Sequence, residues 1–465
     1  MTSNATHPPM DRMMRAVRDA PLDGTGPTLI ARAPGRLDIM GGIADYSGSL
    51  VCEMPLSIAA CSAARGRTDG RIAARSAQEG AAVELTVADL GKCSATQVRE
   101  LIRGDASWAR YVVGCAWWLM DRHGAAKRLA TGVSIAVDSD VPPGGGVSSS
   151  AAIEVATMTA LCTLFDITMS PLELAVACQG VENHVVGAPC GVMDQVTSAL
   201  GEADAMLELL CQPGDDGLPA QVRGHVPVPD GYAFIGIHSG VRHEVSGDPY
   251  TDTRVAAFMA QKILSTLEQP DLTRGWLANV DAQRYQLELR TRLPQRMTGR
   301  AFIEAHETTN DPVTTVDAAK AYAVRAAADH HVLEMSRVSR FVELMKAAGA
   351  ADAAQRERMM REAGRLMVES HHSYGDCAQL GHAMTDRLVE LAERIGPDGG
   401  VYGAKITGGG CGGTVALLVR DAAQTTEQIN ALVREYESAT GRSATLFTGS
   451  GPGAATAGLM RMDEA

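Results

Sequence analysis

The segment that decides the fold reads Pro142-Pro143-Gly144-Gly145-Gly146-Val147-Ser148-Ser149-Ser150-Ala151-Ala152. The short stretch 133–137 before it is rich in β-branched residues, which predicts a strand. Residues 151–165 contain no Gly or Pro, which predicts a helix. Three adjacent glycines let the backbone approach a ligand closely, and a helix N-terminus offers free N–H groups to an anion. The order strand, glycine loop, helix therefore predicts a phosphate site; a Ser-capped helix after a flexible turn is the alternative.

Two common phosphate-binding motifs are absent from the sequence. None of the few lysines stands between a suitably spaced glycine and a hydroxyl residue, so there is no Gly-x-x-x-x-Gly-Lys-Ser/Thr motif and a P-loop fold is excluded. The glycine loop also lacks the Gly-x-Gly-x-x-Gly spacing of dinucleotide-binding folds, and the catalytic triplets of protein kinases are missing. A phosphate site here must belong to another class of fold.

A second glycine cluster reads Lys405-Ile406-Thr407-Gly408-Gly409-Gly410-Cys411-Gly412-Gly413. It lies between apolar stretches at 401–406 and 415–419 that predict two strands. Five glycines among six residues cost much backbone entropy, which favours close backbone approach to another group over a plain hairpin, since a hairpin needs only one or two.

A third segment runs from Ala31 to Gly48 as Ala-Arg-Ala-Pro-Gly-Arg-Leu-Asp-Ile-Met-Gly-Gly-Ile-Ala-Asp-Tyr-Ser-Gly. Its beginning, residues 28–33, predicts a strand that ends at a Pro34-Gly35 turn and enters a functional loop. Taken alone, Arg36 and Asp45 are one charge of each sign in a glycine-rich loop, for which a surface turn is a sufficient interpretation.

The composition indicates the class of protein. The chain has 465 residues, 45% of them hydrophobic, and 42 Lys+Arg against 55 Asp+Glu give 42 − 55 = −13. This acidic balance argues against a nucleic-acid or membrane-surface binder, because both need clustered cations. Ten cysteines without a Cys-x-x-Cys pair, and no apolar run of about 18 residues, predict a cytoplasmic enzyme with reduced thiols.

Taken together and in order, the three segments resemble the signature segments of the galactokinase, homoserine kinase, mevalonate kinase and phosphomevalonate kinase superfamily, in its galactokinase-like branch. Residues 108–114 and 187–195 add to the resemblance. It implies an α+β, two-domain fold whose N-terminal domain has a left-handed βαβ unit and whose C-terminal domain is ferredoxin-like. We expect a mobile lead-in at 1–26, an N-terminal domain at 27–223, and a C-terminal domain at 224–465 with a helical insertion at about 253–330.

The resemblance implies an ATP-dependent sugar 1-kinase that uses Mg²⁺, with a small-molecule sugar as partner and neither nucleic acid nor membrane. By position, Asp194 corresponds to the catalytic base, Arg36 to the arginine beside it, and Ser150 and Glu182 to the magnesium ligands. The expected nucleotide-binding residues are Gly144, Gly145, Gly146, Ser148, Ser149, Ser150 and Trp108. The expected sugar-binding residues are Gly42, Ile43, Asp45, Gly191 and Tyr250.

One departure from the galactokinase pattern bears on the substrate. Galactokinases have Glu-His, one further residue and Asp where this chain has Gly42-Ile43-Ala44-Asp45. The Glu-His pair lies toward the hydroxymethyl group of galactose, which L-arabinopyranose lacks, and this segment resembles plant L-arabinokinases more closely. We therefore expect L-arabinose as substrate, and expect Gly42→Glu with Ile43→His to narrow that preference. A galactokinase and a non-catalytic sugar sensor are the alternatives.

Overall fold

The computed structural model describes residues 8–78, 80–242, 248–267 and 271–463, so the first seven residues of the expected lead-in lie outside it. The strands are β1 (Thr28–Met40), β2 (Leu50–Gly66), β3 (Arg71–Ser76), β4 (Val83–Thr86), β5 (Gly132–Ser139), β6 (Ala205–Leu210), β7 (Gln221–Pro227), β8 (Tyr232–His238), β9 (Met297–Thr298), β10 (Ala321–Tyr322), β11 (Val401–Ile406), β12 (Thr414–Arg420), β13 (Thr445–Phe447) and β14 (Leu459–Met462).

The helices of the first half are α1 (Pro8–Asp19), α2 (Val87–Leu90), α3 (Ala95–Leu101), α4 (Ala109–Arg122), α5 (Ala126–Leu129), α6 (Ser149–Leu164), α7 (Pro171–Gly180) and α8 (Met193–Leu200). Those of the second half are α9 (Asp248–Ser265), α10 (Ala282–Arg284), α11 (Gly299–His306), α12 (Val324–Ala350), α13 (Ala353–Asp376), α14 (Ala383–Ile395), α15 (Ala423–Thr440) and α16 (Ala454–Ala457). In the ranges above, no helix has the length and apolar character to cross a bilayer.

The first sheet is built around the long strand β2. Its strand order is β14-β1-β2-β5-β3-β4, and β6 and β7 extend it from the other end of β2. β3 and β5 pair in parallel and are joined through helices α2 to α5, which makes the βαβ unit. The loop 140–148 then leads from β5 into α6, so the expected order of strand, glycine loop and helix is present.

The second sheet is four-stranded and antiparallel, with the order β11-β12-β8-β13. In chain order it reads β8, helices α12 to α14, β11, β12, α15, β13, which is the split βαβ pattern of ferredoxin-like folds. The α+β two-domain architecture is therefore confirmed.

Two local predictions, a domain boundary and a turn, differ from the structure. The boundary expected at residue 224 falls inside β7, which pairs with β6 of the first sheet, and β14 returns from the C-terminal end to pair with β1. Pro34-Gly35 does not end β1: the pairing is interrupted there because Gly35 alone lies opposite residues 56–58 of β2, and Gly35 passes close to the Val147 carbonyl. Backbone pairing with β2 resumes at Arg36.

The expected mobile lead-in also differs, because it contains helix α1. Helix α1 buries Met13 and Val17 against the first sheet, and Leu22 follows them into the same cluster. Arg12 donates to Asp138 at 2.9 Å and to Asp140 at 2.7 Å. Met10, Met13, Met14 and Val17 recur every three or four residues and form the face of α1 that packs on the sheet.

The two domains meet across a fully buried ion pair. Lys405 of β11 donates to Asp38 of β1 with an Nζ to Oδ2 distance of 2.6 Å, and neither side chain is exposed to solvent. The Asp38 carboxylate also accepts the N–H groups of Gly42 at 3.0 Å and Gly408 at 3.1 Å. One carboxylate therefore joins the first signature segment to the second glycine cluster.

We expect Lys405→Met to lower the free energy of unfolding by about 3 to 5 kcal/mol, because it leaves the buried Asp38 carboxylate without its cation. Chemical denaturation at neutral pH measures this difference. Lys92→Met is the matched control, since Lys92 and its partner Asp89 are both exposed, and it should change stability by less than about 0.5 kcal/mol. Equal effects of the two substitutions would contradict a structural role for the buried pair.

Candidate active site

One cleft between the glycine loops collects most of the predicted site residues. It is lined by the glycine loop before α6, the N-terminus of α6, the first signature segment, the loop before α8 and the first turn of α9. Of the residues predicted from the sequence, the cleft contains Arg36, Ile43, Asp45, Gly144, Gly146, Ser148, Ser149, Ser150, Glu182, Gly191, Asp194 and Tyr250.

The N-terminus of α6 is open toward this cleft. Ser148 precedes the helix in a left-handed conformation with φ of 61°, and its side chain does not cap the helix. Its buried hydroxyl has no hydrogen-bond partner among the described residues. Ser148 is strained, and its unsatisfied hydroxyl lies beside the free N–H groups of the helix. This arrangement favours an anion site over the alternative of a Ser-capped helix.

The second glycine cluster packs against the first. The Thr414 hydroxyl donates to the Gly145 carbonyl at 2.7 Å, and a side chain on Gly413 would meet that carbonyl at 3.0 Å. A Cβ on Gly408 would stand 3.0 Å from the Arg36 guanidinium and 3.0 Å from the Gly146 carbonyl, so the absence of a side chain leaves room for both groups. The predicted close backbone approach therefore exists, and its partner is the other loop of the same site.

Arg36 and Asp194 form an ion pair at the base of the cleft. Arg36 donates to Asp194 Oδ1 from Nε at 2.9 Å and approaches it from Nη2 at 2.7 Å, while Nη1 donates to the Gly146 carbonyl at 2.8 Å. Burial opposes the charge of Arg36, but the surrounding carboxylates of Asp194, Glu53 and Asp38 raise its pKa. The Asp194 side chain keeps 23% of its surface exposed, so its carboxylate faces the cleft.

Glu182 lies beside the start of α6. Burial raises the pKa of Glu182 to about 7, with a further contribution from the charge of Asp194, while hydrogen bonds from Ser150, Cys190 and Gln195 act in the opposite direction. The Gln195 amide donates to Glu182 Oε2 at 2.6 Å. A hydroxyl and a carboxylate that meet next to a helix N-terminus are the hard oxygen ligands that Mg²⁺ takes together with phosphate oxygens.

Asp45 and Tyr250 form the opposite end of the cleft. Asp45 is 4% exposed, and its carboxylate lies where a side chain on Gly191 would stand, 1.6 Å from the position of that Cβ. Burial raises the pKa of Asp45 to about 7, the charge of Asp194 raises it further, and Arg254 lowers it. Ile43 brings apolar surface to this end.

Three predicted residues do not line the cleft. Gly42 lies behind the wall, where Tyr374 and Asp38 occupy the space around its Cα, so a direct contact of Gly42 with a ligand is not supported. Gly145 turns toward Pro142 and Thr414 instead. Trp108 is half-buried and donates its indole N–H to the Ala81 carbonyl at 3.1 Å. The role of Trp108 at a nucleotide stays a prediction.

Sequence reasoning missed an arginine that connects the helical insertion to the site. Arg254 of α9 makes a bidentate pair with Asp311, at 2.7 and 2.8 Å, and both residues are buried. Its third nitrogen donates to the carbonyls of Pro189 and Cys190 at 3.4 and 3.3 Å, in the loop before Asp194. A single Arg in an amphipathic helix carries no signal of this role, so only the fold reveals it.

Two buried carboxyl groups near the ion pair were also missed. Glu154 of α6 is fully buried, and Gln195 donates to it at 3.3 Å as well as to Glu182. Glu53 of β2 is fully buried 3.3 Å from Arg36. Burial raises the pKa of both groups well above the ordinary value. Glu154 is the only charged residue of α6, and that pattern is a usable signal.

Models of a known family match both domains. Residues 110–202 match the GHMP kinases N terminal domain, and residues 344–438 match the GHMP kinases C terminal domain. The structure of Lactococcus lactis galactokinase complexed with galactose aligns over 96% of this chain and 98% of its own, with a TM-score of 0.73 and 22% identity. A mevalonate kinase structure aligns over 91% of this chain with a TM-score of 0.53.

Curated relatives include two kinds of sugar kinase. The L-arabinokinase of Arabidopsis thaliana is 36% identical over 93% of this chain, and the chain spans 46% of the length of that protein. The galactokinase of Chloroflexus aggregans is 32% identical over 90% of this chain and 91% of its own length. The galactokinase of Bos taurus is 32% identical over 86% of each chain.

The raised pKa of Asp45 predicts a dependence of stability on pH. The folded state holds this proton up to about pH 7, whereas an unfolded Asp releases it near pH 4. The stabilisation is therefore present at low pH and is lost as the pH rises from about 4 to about 7. Denaturant titrations give the free energy of unfolding at each pH from 5 to 7.5. Its decrease over this range should be smaller in Asp45→Asn than in the wild type, by on the order of 1 to 2 kcal/mol.

The control is Asp463→Asn, which makes the same change at a side chain that is 75% exposed. It should leave the pH profile of the wild type unchanged. An Asp45→Asn protein with the wild-type profile would show that Asp45 holds no extra proton in the folded state.

Proposed function

The chain belongs to the GHMP kinase family, in its galactokinase-like branch, and on this premise we propose that it phosphorylates L-arabinose at the 1-hydroxyl group. Membership of the galactokinase-like branch makes it an ATP-dependent sugar kinase, and the choice of L-arabinose and of its 1-hydroxyl group is the proposal. The observation that carries it is the cleft itself, in which the Asp194–Arg36 pair lies between an open helix N-terminus and an end bounded by Ile43 and Asp45.

Asp194 is the proposed catalytic base. A sugar hydroxyl is a weak nucleophile, and a carboxylate within hydrogen-bond reach can accept its proton as the new bond forms. The two contacts from Arg36 hold the Asp194 carboxylate in one orientation, and the buried guanidinium places positive charge where a transferring phosphoryl group needs it. The partly exposed face of Asp194 is the one that meets the substrate.

The donor end of the cleft fits a nucleotide and Mg²⁺. The unsatisfied Ser148 hydroxyl and the free N–H groups of α6 are suited to phosphate oxygens, and Ser150 with Glu182 would hold the metal. When bound, ATP supplies the γ-phosphoryl group and Mg²⁺ neutralises charge on its oxygens. With Mg²⁺ bound, Glu182 would have a cation as partner, and this would favour its ionised form.

The acceptor end favours a pentose. Asp45 offers carboxylate oxygens for ring hydroxyls that L-arabinopyranose and galactopyranose share. Ile43, at the position of the galactokinase histidine, offers no partner to a 6-hydroxyl group, and a buried unpaired hydroxyl costs about 1 to 3 kcal/mol. The 36% identity to an L-arabinokinase supports the same choice.

A catalytically silent sugar sensor is the candidate of another class. The presence of Asp194, Arg36, Ser150 and Glu182 together in one cleft favours an enzyme. Release of ADP on addition of L-arabinose separates the two, since a sensor binds sugar and nucleotide without turnover.

We expect Asp194→Asn to lower kcat by a factor of about 10² to 10⁴, because the amide has nearly the same shape but cannot accept the proton. Coupled ADP-release kinetics measure the rate, and calorimetric titration should show that sugar binding is largely retained. Asp398→Asn, at a side chain that is 93% exposed, is the matched control. An Asp194→Asn enzyme that turns over near the wild-type rate would remove Asp194 from the role of base.

We also expect a kcat/KM ratio of roughly 5- to 150-fold in favour of L-arabinose over D-galactose, from the cost of the unpaired 6-hydroxyl. ADP release with L-arabinose, D-galactose, galactosamine and D-xylose measures it. Asp45→Ala should weaken L-arabinose and D-galactose alike, because their ring hydroxyls match. A wild-type enzyme that prefers galactose would make galactokinase the function.

A further inference from the structure

The hydroxyl group of Tyr374 fills the space beside Gly42, behind the wall of the sugar pocket. Tyr374 lies in the last turns of α13 and is fully buried. Its hydroxyl accepts the N–H of Ile43 at 3.0 Å and donates to the carbonyl of Gly408 at 2.9 Å. One hydroxyl group therefore connects the pocket residue Ile43 to the second glycine cluster.

This hydroxyl group leaves no room for a side chain at position 42. A Cβ on Gly42 would stand 1.7 Å from Tyr374 Oη, 2.9 Å from Tyr374 Cζ and 2.7 Å from Asp38 Oδ2. Gly42 also has a φ of 46°, a backbone conformation that residues other than glycine adopt only at a cost in energy. Tyr374 can therefore occupy this position only if residue 42 is a glycine.

The tyrosine ring has little freedom to move aside. Lys405 Nζ lies 5.2 Å from its ring centroid, and the ring of His330 meets it edge to face at 5.0 Å. Lys405 is itself held by the buried Asp38, and His330 contacts the Ser373 hydroxyl at 2.8 Å. A side chain introduced at 42 must therefore displace a packed and charged neighbourhood.

We propose that Tyr374 is a positioning residue for sugar selection, which takes the place of a side chain at 42 and fixes the backbone of Ile43. This inference rests on the proposed pentose kinase function. By holding the Ile43 N–H, the hydroxyl group of Tyr374 sets where the Ile43 side chain closes the pocket. It follows that the sequence-based exchange of Gly42→Glu with Ile43→His fails in the wild-type background, because the glutamate and Tyr374 require the same space.

The first experiment compares that double exchange with and without Tyr374→Leu, which replaces the phenol ring by a shorter apolar side chain. We expect the double variant to lose at least tenfold in kcat/KM for L-arabinose without a gain for D-galactose, and its melting temperature to fall. The triple variant should recover stability relative to the double variant and shift the sugar ratio toward D-galactose. A stable double variant that already prefers D-galactose would overturn the proposal.

The second experiment uses Tyr374→Phe, which keeps the ring and its packing. Loss of one hydrogen bond to Ile43 should lower the arabinose-to-galactose ratio of kcat/KM at least about fivefold, equivalent to about 1 kcal/mol. The KM for ATP should stay within twofold of the wild type. Tyr402→Phe is the matched control, because the Tyr402 hydroxyl bonds to Glu357 and Arg420 outside the cleft, and it should leave the ratio unchanged. An unchanged ratio in Tyr374→Phe would overturn the proposal.

A double-mutant cycle separates this inference from the choice of sugar. Gly42→Ala should destabilise the wild type more than it destabilises Tyr374→Phe, because the second background lacks the atom nearest to the new methyl group. Equal losses in melting temperature would overturn the steric coupling. If the coupling is present but the wild type prefers D-galactose, the pentose proposal fails and the coupling between positions 42 and 374 stands.

Discussion

The buried ion pair between Asp38 and Lys405 is the constraint on which the site depends. Both side chains are sealed from solvent, so neither charge can be removed without leaving the other uncompensated. The pair lies next to a second one, Arg36 with Asp194, and next to the buried Glu53. Burial raises the pKa of Glu53. Lys405 and Arg36 each face one further carboxylate, that of Asp38 and that of Asp194. Balanced charge in a low-dielectric interior keeps Arg36 in place at the base of the cleft.

Because Asp38 and Lys405 come from different domains, this pair also aligns the two glycine clusters. Gly408 donates its N–H to Asp38 and lies against Arg36, and Gly413 packs on the carbonyl of Gly145. The glycines of the second cluster therefore serve contacts within the protein as much as a ligand. Their number follows from how closely two loops and a guanidinium pass each other.

Local sequence patterns predicted the strands and the helix around the two glycine clusters. The family resemblance predicted most of the residues that line the cleft. Strand β11 begins and ends where the apolar stretch 401–406 does, and the glycine loop leads into α6 as its sequence indicates. Contacts across long stretches of chain were beyond such patterns. Arg254 contacts Asp311 and the carbonyl of Pro189, which are 57 and 65 positions away. The Pro34-Gly35 pair has the sequence of a turn, yet β1 continues through it and the Arg36 N–H donates to the Val147 carbonyl.

The relation between Gly42 and Tyr374 explains why substrate selection is hard to infer from pocket residues alone. The sequence shows that Gly42 and Ile43 stand where galactokinases have a glutamate and a histidine, and it does not show what occupies the space beside Gly42. The structure shows that the space is filled from behind, by a hydroxyl group 332 positions further along the chain that also holds Ile43 and Gly408. In a close-packed interior, the loss of side-chain volume at one position is compensated by side-chain volume from another. Under the proposed pentose kinase function, selection between two sugars that differ by one hydroxymethyl group depends on the packing behind Ile43 as well as on the side chains that line the cleft.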